Sequence, residues 1–352
     1  MSERLPVTII TGFLGSGKTT LLRHLLRNSN LRLAVIVNEF GSVGLDGDLL
    51  RSCGFCSDDQ IDNRLFELNN GCLCCTVQDD FLPTMEKLLS RSDDIDGIIV
   101  ETSGLALPLP LVQALAWPEI RTKVYVNGIV TLVDGEALSS GHIVRDVSAV
   151  NEQRELDQNI DHCTPLDELF SDQLKVADLV LISRMDTVCL SSSIKRLINS
   201  LSQKVKSQTP IIPISKGAID PSLVLGLSNN FEENISEDHH DDDHQHLKIF
   251  STAIRTECEL NKDTFDKELI ALVKDFQIIR LKGRIWLPSK LFPLQIQMVG
   301  ERFDSWYEKS HQSFWKPQNS GIDLVTLSFV DCPKDEILRA LIPIEDFRQR
   351  SK

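Results

Sequence analysis

The chain has 352 residues, 41% of them hydrophobic and 25% charged, the balance of a globular protein with room for two domains rather than of a disordered one. Its formal charge of −14 argues against nucleic acid or an anionic membrane as the main partner, because both ask for a basic surface; cations and basic proteins suit it better. No apolar run approaches the roughly 18 residues of a membrane span, and MSERLPVTIITG reaches a strand pattern and its first glycine by position 12, leaving no room for a cleavable leader.

A cytoplasmic protein is therefore expected. In that reducing compartment, nine cysteines are read as metal ligands or redox groups before they are read as a disulfide framework.

The first strand-like run, VTII (Val7 to Ile10), is followed by GFLGSGKTT, Gly12 to Thr20, and then by the helical pattern TTLLRHLLR. The stretch fills G-x-x-x-x-G-K-[ST] between a strand and a helix, the context in which backbone N–H groups cradle the phosphates of a nucleotide. Gly12, Gly15, Ser16, Gly17, Lys18, Thr19 and Thr20 are the expected nucleotide-binding residues. Lys18 would bridge the terminal phosphates, and the Thr19 hydroxyl would ligate Mg2+. His24, on the following helix, has no ligand-like company and reads as structural.

LAVIV (Leu33 to Val37) leads to NEFG, and a loop carrying Cys53 and Cys56 follows. That C-x-x-C pair is a weak metal or redox candidate. Then NGCLCC puts Cys72, Cys74 and Cys75 into four residues. Three thiolates at about 2.3 Å leave a tetrahedral ion one open position, which suits a site that must exchange its metal. Small buried hydrophobes and a redox pair are the rival readings; the polar ELNNG before the cysteines fits a core poorly.

GIIV (Gly97 to Val100) ends in ETSG, with Glu101 placed to organise Mg2+ and water beside the phosphate loop. GIVTLV, LVLI and PIIPI complete the short apolar runs, whose nearly continuous apolarity predicts a parallel sheet covered on both faces. After LVLI stands SRMD, Ser183 to Asp186, where an N-K-x-D element would read guanine. Asp186 is retained, whereas serine and arginine replace the asparagine and lysine. GTP is the expected nucleotide.

The acidic tract NISEDHHDDDHQH, Asn234 to His246, breaks the rhythm and reads as a linker, with a loose metal reservoir as its other role. Beyond it, LKIFSTAIR, KDTFDKELIALVKDF, IIRLKGRIWL, LQIQMV, a polar turn region, DLVTLSF and KDEILRALI predict a small α+β domain with a largely antiparallel sheet. The expected organisation is a P-loop α/β domain over 1–225, a linker over 226–247 and the smaller domain over 248–352.

Taken together, GFLGSGKTT, NEFG, NGCLCC, ETSG and the histidine-rich tract resemble the CobW group of metal-handling P-loop GTPases. Further stretches, among them DDFLPTMEKLL and VNGIVTLVD, are similar to its cobalamin-biosynthesis branch. The resemblance implies slow GTP hydrolysis, a divalent ion on Cys72, Cys74 and Cys75, phosphate held by Gly12 to Thr19, and Asp186 at the base. It also implies delivery of Co2+ to a cobaltochelatase. A zinc chaperone for other metalloenzyme clients, and a nucleotide-gated buffer or sensor that transfers nothing, are the competing readings.

Overall fold

Seven short runs form one sheet in which every pairing is parallel. β1 (Leu5–Thr11), β2 (Leu33–Val37), β3 (Leu65–Glu67), β4 (Gly97–Glu101), β5 (Val124–Asp134), β6 (Leu179–Ser183) and β7 (Ile211–Pro213) stand in the order β3-β2-β4-β1-β5-β6-β7. All residues of β2, β4 and β6 are buried, as the unbroken apolar runs require when both faces of a sheet are covered. The computed structural model describes residues 4–37, 65–67, 81–148, 150–151, 164–188, 191–226, 249–258, 260, 262–288, 290–308 and 315–341. The chain folds as two compact units, Ser2–Leu225 and Gly226–Lys352.

Among the described residues the helices of the first unit are α1 (Lys18–Asn28), α2 (Leu82–Leu89), α3 (Leu109–Leu115), α4 (Gly135–Ser139), α5 (Leu166–Val176), α6 (Ser191–Ser202) and α7 (Pro221–Leu225). One core packs Phe81, Met85 and Leu88 against Val7, Ile36 and Ile98. A second packs Phe13, Phe170 and Leu174 against Val133, Val180 and Ile182. Each such side chain contributes about 1.5–3 kcal/mol by leaving water, so the two cores fix the sheet that presents the loops.

Helix α5 begins after Pro165 with Asp167 and Glu168 in its first turn and ends with Lys175 in its last, an order that suits the helix dipole. Just past it, the buried Asp178 carboxylate accepts from the Ile129 N–H at 3.0 Å and from Lys206 at 3.1 Å. The passage from α5 into β6 is thereby tied to β5.

The second unit is antiparallel, with β8 (Phe250–Glu257), β9 (Ile278–Trp286), β10 (Leu294–Val299), β11 (Arg302–Tyr307) and β12 (Gly321–Ser328) in the order β11-β10-β9-β12-β8. Helices α8 (Lys262–Asp275) and α9 (Lys334–Leu341) contribute Phe265, Leu269 and Ile337 to a core with Leu281, Ile296 and Leu324. The alternate positions on the strands carry Arg280, Lys282, Arg284, Gln295 and Gln297; Arg284 stands in register with both Gln295 and Asp323.

Two strands were not expected from the sequence. β3 is three residues long and offers no apolar run to recognise. β11, RFDSWY, lies in what reads as a polar turn, because an edge strand half open to water tolerates charged residues at alternate positions.

Candidate functional site

The loop between β1 and α1 is shaped by backbone conformations that favour glycine, with φ of +138° at Gly12, +75° at Gly15 and +101° at Gly17. At Gly12 the restriction is also spatial, since a Cβ there would overlap the Leu132 carbonyl oxygen and stand 2.9 Å from Ser16 Oγ. The Ser16 N–H closes the curve on the Phe13 carbonyl at 3.1 Å. Lys18, the first residue of α1, is buried, and its ammonium donates to the carbonyls of Gly12 at 2.8 Å and Phe13 at 3.3 Å. Ser16 Oγ is buried and has no hydrogen-bond partner among the described residues, an orphan polar atom inside the loop.

Glu101 is the last residue of β4 and only 3% exposed, in register with Ile10 of β1, two residues before Gly12. Beyond it Thr102 is held to β1 twice, its N–H on the Ile10 carbonyl at 3.0 Å and its hydroxyl on Thr11 Oγ1 at 2.9 Å. Gly104 then passes so close to the phosphate loop that a Cβ would stand 2.6 Å from the Leu14 nitrogen. Thr19 and Thr20 occupy the first turn of α1, so a hydroxyl and a carboxylate border the loop. Hard oxygen donors of this kind suit Mg2+.

The turn after β6 meets the same loop from the other side. Ser183 donates to the Val133 carbonyl at 3.2 Å, and Arg184, at φ +57°, donates through Nη2 to the Gly15 carbonyl at 2.7 Å. Arg184 Nε lies 3.2 Å from Asp134 Oδ2, an ion pair without an aligned hydrogen bond. Asp134 is buried at the end of β5, where Oδ1 caps α4 by accepting from the N–H groups of Glu136 and Ala137. Arg145 reaches the same Oδ2 at 3.1 Å. Asp186 is exposed at the rim.

Sequence reasoning passed over the turn that follows β7. Lys216 and Gly217 there have φ of +53° and +75°, and the turn packs against Thr20 of α1. His24, read as structural, lies with Nε2 2.8 Å from the Ile219 carbonyl oxygen and 3.2 Å from its nitrogen. The Lys-Gly doublet one residue after PIIPI was the available signal.

Of the predicted site residues, the structure brings Gly12 to Thr20, Glu101 and Ser183 to Asp186 to one edge of the sheet. Cys72, Cys74 and Cys75 lie outside the described residues, as do Cys53, Cys56 and the histidine-rich tract. Among the described residues no three His, Cys, Asp or Glu side chains converge on a metal-sized site, and no helix is long and apolar enough to cross a membrane.

Comparison with known proteins meets this geometry. Residues 6–213 match the family described as CobW/HypB/UreG, nucleotide-binding domain, and residues 249–341 match the Cobalamin synthesis protein cobW C-terminal domain. A Sinorhizobium protein named zinc chaperone CobW is 38% identical over 349 residues, covering 96% of each chain. A Pseudomonas aeruginosa protein of the same name is 42% identical over 315 residues, covering 87% of this chain and 83% of that one. The Zn(II)-bound YjiA GTPase of E. coli is similar at 20% identity and a TM-score of 0.40, over 96% of this chain and 98% of its own. With a phosphate loop in place and both domains matched, the chain belongs to the CobW/HypB/UreG family of P-loop GTPase metallochaperones.

Proposed function

We propose that this protein loads zinc on the thiolates of Cys72, Cys74 and Cys75 and surrenders it to an apo-metalloenzyme when bound GTP loses its γ-phosphate. The observation that carries the reading is the placement of β3. Its last residue, Glu67, is in register with Val37, which is in register with Glu101. The chain thus leaves β3 at the phosphate-loop edge of the sheet, and Cys72 follows five residues later, within about 18 Å of extended chain.

In this mechanism the backbone N–H groups of the Gly12–Thr20 loop and the N-terminus of α1 bind the β- and γ-phosphates. The Lys18 ammonium balances charge that develops as water attacks the γ-phosphorus and the bond to the β-phosphate oxygen breaks, giving GDP and phosphate. Thr19 and Glu101 would hold Mg2+, which supplies charge neutralisation between the phosphates. Asp186 at the rim takes hydrogen bonds from the guanine edge, and Arg184 keeps the Gly15 end of the loop in register with that turn. If the nucleotide orders the segment carrying the thiols, nucleotide and metal strengthen each other's binding by the same factor.

Zinc is favoured over cobalt on two counts. The relatives' names speak of zinc, and Zn2+ binds comparable ligands more tightly than Co2+. Delivery of Co2+ to a cobaltochelatase is the second reading, supported by the cobalamin wording of the C-terminal family description.

Competition titration of Zn2+ and Co2+, with Mg2+ and either GDP or a non-hydrolysable GTP analogue, tests both. The analogue is expected to tighten Zn2+ binding at least about fivefold over GDP, in the usual range of coupling between sites, and Cys74→Ser to abolish the tight phase. Metal binding that is the same with either nucleotide would remove the proposal. Tighter Co2+ than Zn2+ binding in the analogue state would install the cobalt reading.

A further inference from the structure

We propose that Gln173 is a positioning residue for GTP hydrolysis, an amide latch that holds the turn after Glu101 against the phosphate loop. The inference rests on the reading of Glu101 and its turn as the groups that organise magnesium and water.

Gln173 lies on α5 with no exposed surface, between Phe170 and Leu174 of the apolar stripe. Its Nε2 donates to the Gly104 carbonyl at 3.2 Å and to the Ala106 carbonyl at 3.0 Å. Both partners are carbonyl oxygens, which only accept, so the atom facing them is the nitrogen and both of its protons are engaged. The other amide atom, Oε1, is buried and accepts no hydrogen bond among the described residues. A leucine or methionine would fill this space and remove the unmet Oε1, but it would leave the Gly104 and Ala106 carbonyls without this donor, so what the glutamine adds beyond packing is the pair of bonds to that turn.

What the amide secures is the stretch that joins Glu101 to the phosphate loop by direct backbone contact. Thr102 is tied to β1 through its N–H and hydroxyl, Gly104 abuts the Leu14 nitrogen, and the Ala106 N–H closes a turn on the Ser103 carbonyl at 3.2 Å. Gln173 supplies the anchor on the far side of that turn. Its own backbone carbonyl accepts from Thr131 Oγ1 of β5 at 3.3 Å, so the anchor itself is held. With the amide in place, Glu101 and Gly104 keep a fixed relation to the loop; without it, the turn loses these two ties to α5 and drifts relative to the attacking water.

The test is steady-state hydrolysis of Mg-GTP by the full chain in wild type, Gln173→Met and Gln173→Asn, with fluorescent GDP affinity and a thermal melt on each. Methionine keeps the volume and removes both bonds. In Q173M kcat is expected to fall tenfold or more, the scale of loss from small misplacement of reacting groups, while KM for GTP and the GDP affinity stay within about twofold. Q173N, whose amide falls one methylene short, is expected to lie between, and it decides the matter if Q173M does not melt cooperatively. A folded variant with wild-type kcat overturns the latch. So does a parallel rise of KM and GDP Kd at unchanged kcat, which marks a merely structural role. Glu101→Gln separates the two layers: hydrolysis untouched by E101Q removes the reading of Glu101, whereas hydrolysis lost in E101Q but intact in Q173M removes the latch alone.

Discussion

The two sheets of this molecule place their polar groups in opposite ways. In the parallel sheet the strands β2, β4 and β6 are buried throughout, and the groups able to do chemistry gather in turns at the strand ends. In the antiparallel sheet the helices pack on one face, and the alternation of the strands puts Arg280, Lys282, Arg284, Gln295 and Gln297 along the other, in mid-strand and, Lys282 apart, buried. A sheet covered on both faces has no mid-strand position to give to function, so its loops carry everything. The second sheet instead spreads its polar groups along a face in mid-strand, away from the strand ends.

The comparison predicts that nucleotide chemistry breaks at single positions of the first unit. The largest effect is expected at Gly12→Ala, where the added carbon meets the Leu132 carbonyl oxygen and φ is +138°. Strain of this kind costs about 1–3 kcal/mol, and the loop must shift to relieve it. GDP and GTP affinity should fall about a hundredfold or more by fluorescence titration, with the melting temperature of the second unit unchanged. Retention of wild-type affinity would mean that the loop does not need this backbone shape.

A smaller loss sharpens the contrast between the two ends of the nucleotide site. Arg184 is partly open to solvent; it donates a hydrogen bond to the Gly15 carbonyl and meets Asp134 as an ion pair without an aligned one. Arg184→Ala should weaken GTP about fivefold, roughly 1 kcal/mol. Arg184→Lys should recover part of the loss, because lysine keeps the charge but not the fork that reaches both partners. An Arg184→Ala protein with unchanged dissociation rate for GTP would show that the SRMD turn does not steady the loop.

The phosphate loop was legible in the sequence because its motif encodes backbone geometry: glycines at the positive-φ positions, and a lysine at the head of the helix. The central strands were legible because burial on both faces leaves an unbroken apolar run. β3 and β11 were not, one too short for a pattern and the other an edge strand with charges at alternate positions. Gln173 was missed for a different reason. Its position follows Leu169 by four and Phe170 by three, so a polar residue in an apolar stripe was visible, but its partners Gly104 and Ala106 lie nearly seventy residues away. Long-range pairing of one amide with a distant turn leaves no local mark. Arg184 was visible only as a departure from N-K-x-D, and its partner Asp134 lies at the end of another strand.

The change expected to touch nucleotide binding least concerns a thiol of the second unit. Cys332 is fully buried beside α9 and its carbonyl accepts from Thr252 Oγ1 at 2.9 Å. Burial pushes its thiol up to about 12, with Glu336 and Asp331 adding to the rise. The unfolded chain ionises this group from the ordinary cysteine range upward, near 8.5, whereas the native chain keeps the proton until about 12. Unfolding therefore releases a proton within that window, and the stability that the neutral thiol gives, complete below the ordinary range, declines as pH rises through it. Urea melts at pH 8 and pH 10 should show a steeper loss in wild type than in Cys332→Ala, and native Cys332 should resist thiol reagents at pH 8. Nucleotide affinity and zinc stoichiometry should not change in the variant. Rapid labelling of native Cys332 would contradict its burial and, with it, the contrast between a thiol that only packs and the thiols proposed to carry metal in the first unit.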